Sequence, residues 1–462
     1  MSFVFYDTET TGLSTRFDQI VHFAAIKTDA ELREVDRYEV RSRLRAHVLP
    51  HPEALCVSGL GIHQLLDPSL HSHYEMACEI KAKLDAWTPS IFAGYNSIRF
   101  DEELLRQTFF QTLLPLYLTS LRGNGRADVM GLVLSSVASS PHCLVVPSGA
   151  SGRRSFKLAD IARANGVTHS RVHHAMSDVE AALELCRRLR KAAPDAWQSF
   201  VRFSYKAAVA DFVDGEDAFV LTEFFGGDSY TSPVVLLGQQ SSMPNGRLCL
   251  VVGASTRSII NASVHELGER LFEKPSPIRR IRTNSAPVLT PLYEFEDGRF
   301  DMDMDDIEAL AREIRGDAAL CARLTSIFES RDSQRPVSAH VEGRIYDGFP
   351  SPSDERAMQR FHQVGWEERA KLLDLIEDER FRTLGERLVH QEAPHALSPD
   401  QRHRVLSELA SRTGDSPDGP LSRPNTITLI DVMRGQASAH HLALLDDYRE
   451  HLVKVGAGAA PP

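Results

Sequence analysis

The sequence predicts an α/β protein that begins with a mixed sheet, continues into a β-rich unit and ends in helices. Strand-like and helix-like patterns alternate over the first 195 residues, short strands with Gly-containing turns follow from about residue 218, and helical spacing prevails after residue 303. This alternation is typical of a mixed sheet covered by helices. A chain of 462 residues that is 42% hydrophobic has room for several cores.

The first part of the chain contains the elements of the mixed sheet. Strands are expected over 2–6, 19–27, 38–44 and 91–96, and a helix over 74–87, in which Met76, Ile80 and Leu84 share one face. The connections between the first three strands are short, which favours antiparallel neighbours.

The middle and the end of the chain differ in pattern. Strands are expected over 219–225, 233–237, 247–252 and 277–284, separated by Gly- and Pro-containing turns. Helical spacing then runs over 303–331, and further helices are expected over 354–364, 366–375, 377–390, 399–411 and 440–455. We expect domain boundaries near 195/196 and 348/349, giving domains 1–195, 196–348 and 349–462.

Charge and cysteine content exclude several classes of protein. The formal net charge of −11 argues against a generally polycationic binder, although a local basic groove remains compatible with it. The six cysteines are scattered without a C-x-x-C pair, which argues against zinc-finger spacing and a dense disulfide framework. No run of about 18 apolar residues is present. We therefore expect a cytoplasmic protein without a membrane partner.

Two acidic residues follow the first predicted strand. Side chains alternate along a strand, so Asp7 and Glu9 point the same way, about 6.6 Å apart at ~3.3 Å per residue. Two carboxylates aimed at one point repel each other unless a cation lies between them, and oxygen ligands select hard cations such as Mg²⁺. The alternative is a solvated strand end with two surface acids.

A third acid, Asp101, stands where a helix is expected to begin. In isolation it reads as an N-cap. Stepping by 3.6 residues, however, places Asp101 on the side of Leu104 and Leu105 rather than on the charged side of Glu103. A carboxylate that faces inwards requires a partner.

The fourth acid, Asp178, lies at the edge of the apolar stripe of a helix, just after two histidines. His173 and His174 have an imidazole with a pKa near neutrality, suited to accept a proton from water. The alternative is a pair of surface or capping histidines. The residues alone do not decide between His173 and His174.

Together the three clusters resemble the DEDDh family of 3′→5′ exonucleases. Asp-x-Glu lies on the first strand, an Asp lies at a helix start, and a His lies five residues before a final Asp. The stretches 94–101, 155–158, 164–166 and 173–179 resemble the bacterial exodeoxyribonuclease I branch, and 285–289 and 344–349 extend the similarity towards the carboxyl terminus. The resemblance implies an RNase H-like exonuclease domain, an SH3-like domain and a helical domain.

The resemblance also implies a function and roles for individual residues. It implies a Mg²⁺-dependent enzyme that degrades single-stranded DNA from its 3′ end to 5′-mononucleotides, in DNA repair or recombination. Asp7, Glu9, Asp101 and Asp178 match the ligands of two Mg²⁺ ions, which Mn²⁺ can replace, and His173 matches the general base. Glu9 and Thr10 would contact the terminal nucleotide.

Further DNA contacts and partners follow from the same resemblance. Arg106, Lys157 and Lys206 match phosphate contacts, although the family has arginine where this chain has Lys157. Between 114 and 128 a related enzyme is rich in tryptophan, whereas this chain has only Tyr117 for base stacking. The family implies a single-strand-binding protein as a partner, and we expect a monomer. Two alternatives stay open: an exoribonuclease of the same catalytic type, and a non-catalytic binder of single-stranded DNA.

Overall fold

The protein is described from a computed structural model. It covers residues 1–149, 152–169, 174–226, 228–296, 298–332, 337–412 and 419–456. Two five-stranded sheets and a carboxyl-terminal group of helices make up the described part of the chain. In that part, no helix combines the length and the apolar composition that crossing a bilayer requires.

The first sheet is mixed and forms the centre of the amino-terminal unit. Its strands are β1 (Phe3–Thr10), β2 (Ile20–Thr28), β3 (Glu34–Arg41), β4 (Ile91–Gly94) and β5 (Gly125–Asp128), in the order β3-β2-β1-β4-β5. The first three strands pair antiparallel, whereas β4 and β5 run parallel to β1. The mixed α/β sheet predicted from the sequence is thereby confirmed.

Helices cover both faces of this sheet, so β1 is buried on both sides. The helices of the unit are α1 (Pro52–Ser58), α2 (Ile62–Leu65), α3 (His73–Ala86), α4 (Asp101–Gln111), α5 (Val129–Ser139), α6 (Leu158–Ala164), α7 (Ala175–Ala192) and α8 (Pro194–Arg202). Phe3 and Phe5 pack in one core with residues of α7, while Val4 and Tyr6 pack in a second core with residues of α3 and α4. The two faces of β1 therefore meet different helices.

The second unit is built on an antiparallel sheet. It contains α9 (Lys206–Gly215), β6 (Phe219–Phe225), β7 (Asp228–Gln239), β8 (Gly246–Val251), α10 (Thr256–Ile260), α11 (Val264–Arg270), β9 (Ile278–Arg282), β10 (Val288–Pro291), α12 (Met304–Gly316) and α13 (Ala318–Asp332). The strand order is β10-β6-β7-β8-β9. The boundary expected at 195/196 stays a prediction, and α8, which spans it, packs Trp197 against the core of the first unit.

The last unit is helical, as the sequence predicts. It contains α14 (Pro352–Phe361), α15 (Trp366–Leu372), α16 (Glu379–Glu392), α17 (Pro399–Ser411), α18 (Arg423–Arg434) and α19 (Ala439–Gly456). One of its apolar clusters includes Phe110 and Leu113 of the first unit. A second cluster joins α18 and α19 to α1 and α2, and the Tyr448 hydroxyl donates a hydrogen bond of 3.0 Å to the carbonyl of Pro50. The helical unit thus packs directly on the first unit.

Several details differ from the sequence prediction, which also did not include α5 or β10. The helix expected over 303–331 is two helices, α12 and α13, which are separated at Asp317. The strand expected over 38–44 begins earlier and ends at Arg41. β5, a four-residue strand at the edge of the sheet, was not predicted, because its buried Arg126 breaks the apolar pattern of a strand.

Candidate active site

The candidate site lies at the carboxyl end of β1, where the residues of the strand become partly exposed. Asp7 and Glu9 occupy the same side of β1 as Phe3 and Phe5, which is the side that α7 covers. Asp178 lies in the first turn of α7. Strand alternation and the position of α7 therefore bring three carboxylates together.

The three carboxylates are close enough to share a cation. Oxygens of Asp7, Glu9 and Asp178 lie within 4.8 Å of one another. Each of these residues is partly buried. All-oxygen donors of this kind fit a hard divalent cation such as Mg²⁺ or Mn²⁺.

Asp101 approaches the site from the opposite face and influences the pKa of Asp7, but it is not among the three acids whose oxygens lie within 4.8 Å of one another. It is the first residue of α4, whose Leu104 and Leu105 pack with Val4 and Tyr6. Its Oδ1 accepts two hydrogen bonds from Thr8, from the hydroxyl at 2.6 Å and from the backbone N–H at 3.1 Å. Asp101 is only 5% exposed, so Thr8 is its partner in a water-poor environment.

The acids of the site repel one another. Burial and the charges of Asp101, Asp178 and Glu9 raise the pKa of Asp7 well above its usual value. Burial, followed by Asp178 and Asp101, raises the pKa of Glu9 to about 8. Burial raises the pKa of Asp101 to about 7, although the hydrogen bonds from Thr8 oppose this shift. Mutual repulsion of this kind is what a bound cation relieves.

A tight turn follows the two acids of β1. The Thr10 hydroxyl donates a hydrogen bond of 2.8 Å to the carbonyl of Gly12, and the Thr11 hydroxyl donates one of 2.7 Å to Asp18. A Cβ atom at Gly12 would lie 2.6 Å from an oxygen of Asp18, so this position requires glycine. The turn leaves the partly exposed Thr10 beside Glu9 at the edge of the site.

A histidine contacts Asp178. His173, the candidate general base, lies outside the described residues. His169, which is only 6% exposed at its side chain, contacts Asp178 Oδ1 through its Nε2. The Nε2 of His174 lies 3.2 Å from a guanidinium nitrogen of Arg41 and 3.8 Å from a carboxylate oxygen of Glu39.

The structure places the three predicted phosphate contacts differently. Lys157 and Lys206 are exposed. Arg106 is buried, and its guanidinium lies 3.0 Å from Glu102 and 3.0 Å from Glu103. A phosphate contact by Arg106 stays a prediction, and in the structure its guanidinium forms ion pairs with these two glutamates.

Aromatic residues from distant parts of the chain meet near Arg106. The Tyr346 hydroxyl donates a hydrogen bond to Glu103, and the ring of Phe349 lies 5.8 Å from that of Tyr117. Phe349 is 80% exposed, and the Arg106 guanidinium stacks 5.4 Å from the Tyr117 ring. An exposed ring beside a second ring is a surface on which a nucleobase can stack.

Sequence reasoning missed Thr8, His169 and Phe349. Thr8 lies between the two acids, and strand alternation alone indicates that it points to the other face. His169 lies nine residues before Asp178 and outside α7, so the helical period does not predict that the two side chains meet. Phe349 lies 232 positions after Tyr117, so no local pattern connects the two residues.

Comparison with known proteins agrees with this architecture. A family model described as "Exonuclease" matches residues 4–186, and a model described as "Exonuclease I C-terminal domain" matches residues 339–455. Exodeoxyribonuclease I of Haemophilus influenzae is 27% identical over 414 residues, which span 85% of this chain and 86% of the relative. Exodeoxyribonuclease I of Escherichia coli is 24% identical over 375 residues, or 78% of each chain.

Solved structures share the whole fold. Exonuclease I from Methylocaldum szegediense superimposes with a TM-score of 0.86 at 23% identity, covering 98% of this chain and 99% of the other. Escherichia coli Exonuclease I in complex with a dA16 oligonucleotide gives a TM-score of 0.82 at 20% identity, with the same coverage of 98% and 99%. This chain therefore contains a match to the Exonuclease family model and a match to the Exonuclease I C-terminal domain model, and it is a homologue of proteins named Exodeoxyribonuclease I.

Proposed function

We propose that this chain is a Mg²⁺-dependent 3′→5′ exonuclease that degrades single-stranded DNA to 5′-mononucleotides, in DNA repair or recombination. The convergence of the Asp7, Glu9 and Asp178 oxygens within 4.8 Å carries the proposal. The relatives named Exodeoxyribonuclease I, and the similar structure solved with an oligonucleotide, support the substrate class.

The acids of the site fit two Mg²⁺ ions, for which Mn²⁺ can substitute. Asp7, Glu9, Asp101 and Asp178 would hold them, since all four offer oxygen ligands and the pKa values of Asp7, Glu9 and Asp101 are raised. When bound, two such ions neutralise charge on the attacking and the leaving oxygen of a phosphodiester.

The remaining residues of the site hold groups in position and transfer a proton. The His173 imidazole would accept the proton of the attacking water, a role that suits imidazole as a class of general base. Thr8 favours the ionised form of Asp101 through two hydrogen bonds to Oδ1. Glu9 and Thr10, at the edge of the site, contact the terminal nucleotide.

The rest of the strand would follow exposed basic and aromatic groups. Lys157 and Lys206 are exposed and supply phosphate contacts that do not depend on base sequence. The Tyr117 and Phe349 rings offer a stacking surface, and base stacking contributes about 1–3 kcal/mol per base. Arg106 would contact a phosphate only if it left Glu102 or Glu103.

Partners and location follow from the family. One similar structure is described as a complex of SSB and Exonuclease I, and we infer that this chain also acts with a single-strand-binding protein. We further propose that it works as a monomer in the cytoplasm.

Digestion of a 5′-labelled single-stranded DNA oligonucleotide, followed in time with and without Mg²⁺, tests the function. We expect shortening from the 3′ end only when Mg²⁺ is present. Asp178→Ala should abolish turnover while DNA binding in EDTA persists, and Asp195→Asn, an exposed acid outside the site, should behave as the parent. Turnover by Asp178→Ala at the parental rate would refute the metal assignment.

The same assay with an RNA oligonucleotide distinguishes the first alternative. We expect DNA to be the preferred substrate, and faster digestion of RNA would assign an exoribonuclease instead, because a 2′-OH contact separates the two sugars. Binding of single-stranded DNA without any Mg²⁺-dependent shortening would identify a non-catalytic DNA-binding factor.

A further inference from the structure

A second cluster of metal-ligand side chains lies beside the acidic site. Nitrogens of His22 and His174 and a carboxylate oxygen of Glu39 lie within 4.8 Å of one another. The Nε2 of His22 is 2.7 Å and the Nε2 of His174 is 3.8 Å from Glu39 Oε1. The cluster therefore joins two imidazoles and one carboxylate around a small volume.

Strand register brings these groups together. His22 on β2 pairs with Glu9 of β1 and with Arg41 of β3, while Glu39 pairs with Ala24. His22 and Glu39 are thus diagonal neighbours on one face of the sheet, the face that carries Glu9. His174 is the residue before α7, so it reaches the same face from the helix start.

The side chains are arranged for coordination. Tetrahedral Zn²⁺ binds nitrogen and oxygen at about 2.0–2.2 Å, which places ligand atoms roughly 3.3 Å apart. The observed distances of 2.7 and 3.8 Å bracket that value. The two imidazole rings meet edge to face, with centroids 5.0 Å apart and an interplanar angle of 79°.

The contact with Arg41 indicates which ring nitrogen of His174 has a lone pair for a metal ion. A guanidinium nitrogen has no lone pair to offer, so Arg41 donates to His174 Nε2 across 3.2 Å, and that nitrogen carries no proton in this arrangement. Arg41 is exposed and can turn into solvent. A metal ion would take the place of its guanidinium.

We propose that His22, Glu39 and His174 form a second metal site, which binds one Zn²⁺ or a similar transition ion. Imidazole ligands suit Zn²⁺, Ni²⁺ and Cu²⁺, whereas the all-oxygen site at Asp7, Glu9 and Asp178 suits Mg²⁺. The two sites thus differ in the class of ion that they bind. Three protein ligands leave one position for water.

Binding at this site would stabilise the start of α7. The backbone N–H groups of Ser177 and Asp178 donate to the carbonyl of His174, at 2.8 and 3.1 Å. An ion held by His174, His22 and Glu39 would fix this first turn to β2 and β3. Zn²⁺ binding is therefore expected to raise the melting temperature of the full chain.

Zn²⁺ and Co²⁺ titrations test the proposal. The full chain carries Asp7→Asn and Asp178→Asn, which disable the acidic site, and excess Mg²⁺ is present. We expect one equivalent of Zn²⁺ to bind, and Co²⁺ to give the visible absorption of an imidazole-ligated ion. Adding Glu39→Gln or His174→Gln should weaken binding by at least ~100-fold, since even outer partners of a metal site contribute roughly 10–100-fold.

Two further variants make the test specific. Arg41→Ala removes the competing guanidinium and should tighten Zn²⁺ binding. His395→Gln is the control and should leave Zn²⁺ binding unchanged. It alters a different His–Glu pair, His395 with Glu367, whose nitrogen and oxygen are 3.6 Å apart and whose side chains are both 73% exposed. Circular dichroism and binding of single-stranded DNA check that each variant is folded. Binding that is insensitive to Glu39→Gln and His174→Gln, or absent from the doubly substituted parent, overturns the proposal.

Discussion

The hydrogen bonds from Thr8 to Asp101 allow a quantitative test of how the site is tuned. Thr8→Val keeps the shape of the side chain but removes the hydroxyl that donates at 2.6 Å, and Thr8→Ser retains it. Both Thr8 and Asp101 are buried, at 7% and 5% exposure, so water cannot easily replace the lost donor. The ionised form of Asp101 should therefore be disfavoured in Thr8→Val alone.

The size of the effect follows from the strength of such a bond. A hydrogen bond to a charged group contributes about 1.5–3 kcal/mol, or roughly one to two pKa units. The pKa of Asp101, raised by burial to about 7, would move up to roughly 8–9. At neutral pH the ionised fraction would fall from about half to below about a tenth, so the Mg²⁺ concentration for half-maximal activity should rise about tenfold.

The assay is the Mg²⁺ dependence of oligonucleotide digestion at about pH 7 and about pH 9. Since higher pH ionises Asp101, the deficit of Thr8→Val should shrink at the higher pH, and Thr8→Ser should match the parent at both. A Mg²⁺ midpoint for Thr8→Val equal to that of the parent, or a deficit that does not change with pH, would refute the reasoning.

Three other predictions concern stability and the contact between units. The pKa values of Asp7, Glu9 and Asp101 are raised in the folded state. Their contribution to stability is therefore complete below about pH 4 and is lost as the pH rises through about 7 and 8. The melting temperature in EDTA should fall over this pH range, and Mg²⁺ should reduce the fall. Glu102→Gln leaves Arg106 and Arg126 without their buried partner and should cost about 3–5 kcal/mol in urea unfolding, whereas exposed Glu269→Gln should stay within about 0.5 kcal/mol. Tyr448→Phe removes the hydrogen bond to Pro50 and should cost about 1 kcal/mol. Pro50 precedes His51, whose backbone N–H donates a hydrogen bond to the carbonyl of Thr11 in the turn after β1. Tyr448→Phe should therefore also raise KM more than it lowers kcat. Unchanged KM and unchanged stability would contradict this link.

The sequence was informative where a short-range period determines geometry. Alternation along β1 places Asp7 and Glu9 on one side, and the helical period of α4 turns Asp101 away from solvent. The family pattern added Asp178 and separated His173 from His174. The mixed sheet and the helical end followed from the alternation of strand and helix patterns.

Other features depend on tertiary contacts that no local period encodes. Glu102 stands in an acidic stretch that reads as surface, yet it is 1% exposed and paired with Arg106 and Arg126. The pairing with Arg126 also explains why β5 was not predicted, since arginine is rarely buried. Asp101 meets Thr8 because α4 packs on the opposite face of β1, which depends on the packing of the whole unit.

The apolar seam, which is the cluster that joins α18 and α19 to α1 and α2, has a practical consequence for the design of a minimal nuclease. A fragment ending near residue 195 would lose Ile430, Leu445 and Tyr448 from that seam, leaving Leu55 and Ile62 uncovered. Such a truncated enzyme should be prone to aggregation unless these positions are redesigned as polar. Shortening this protein is therefore a surface-engineering problem as well as a matter of choosing where to cut.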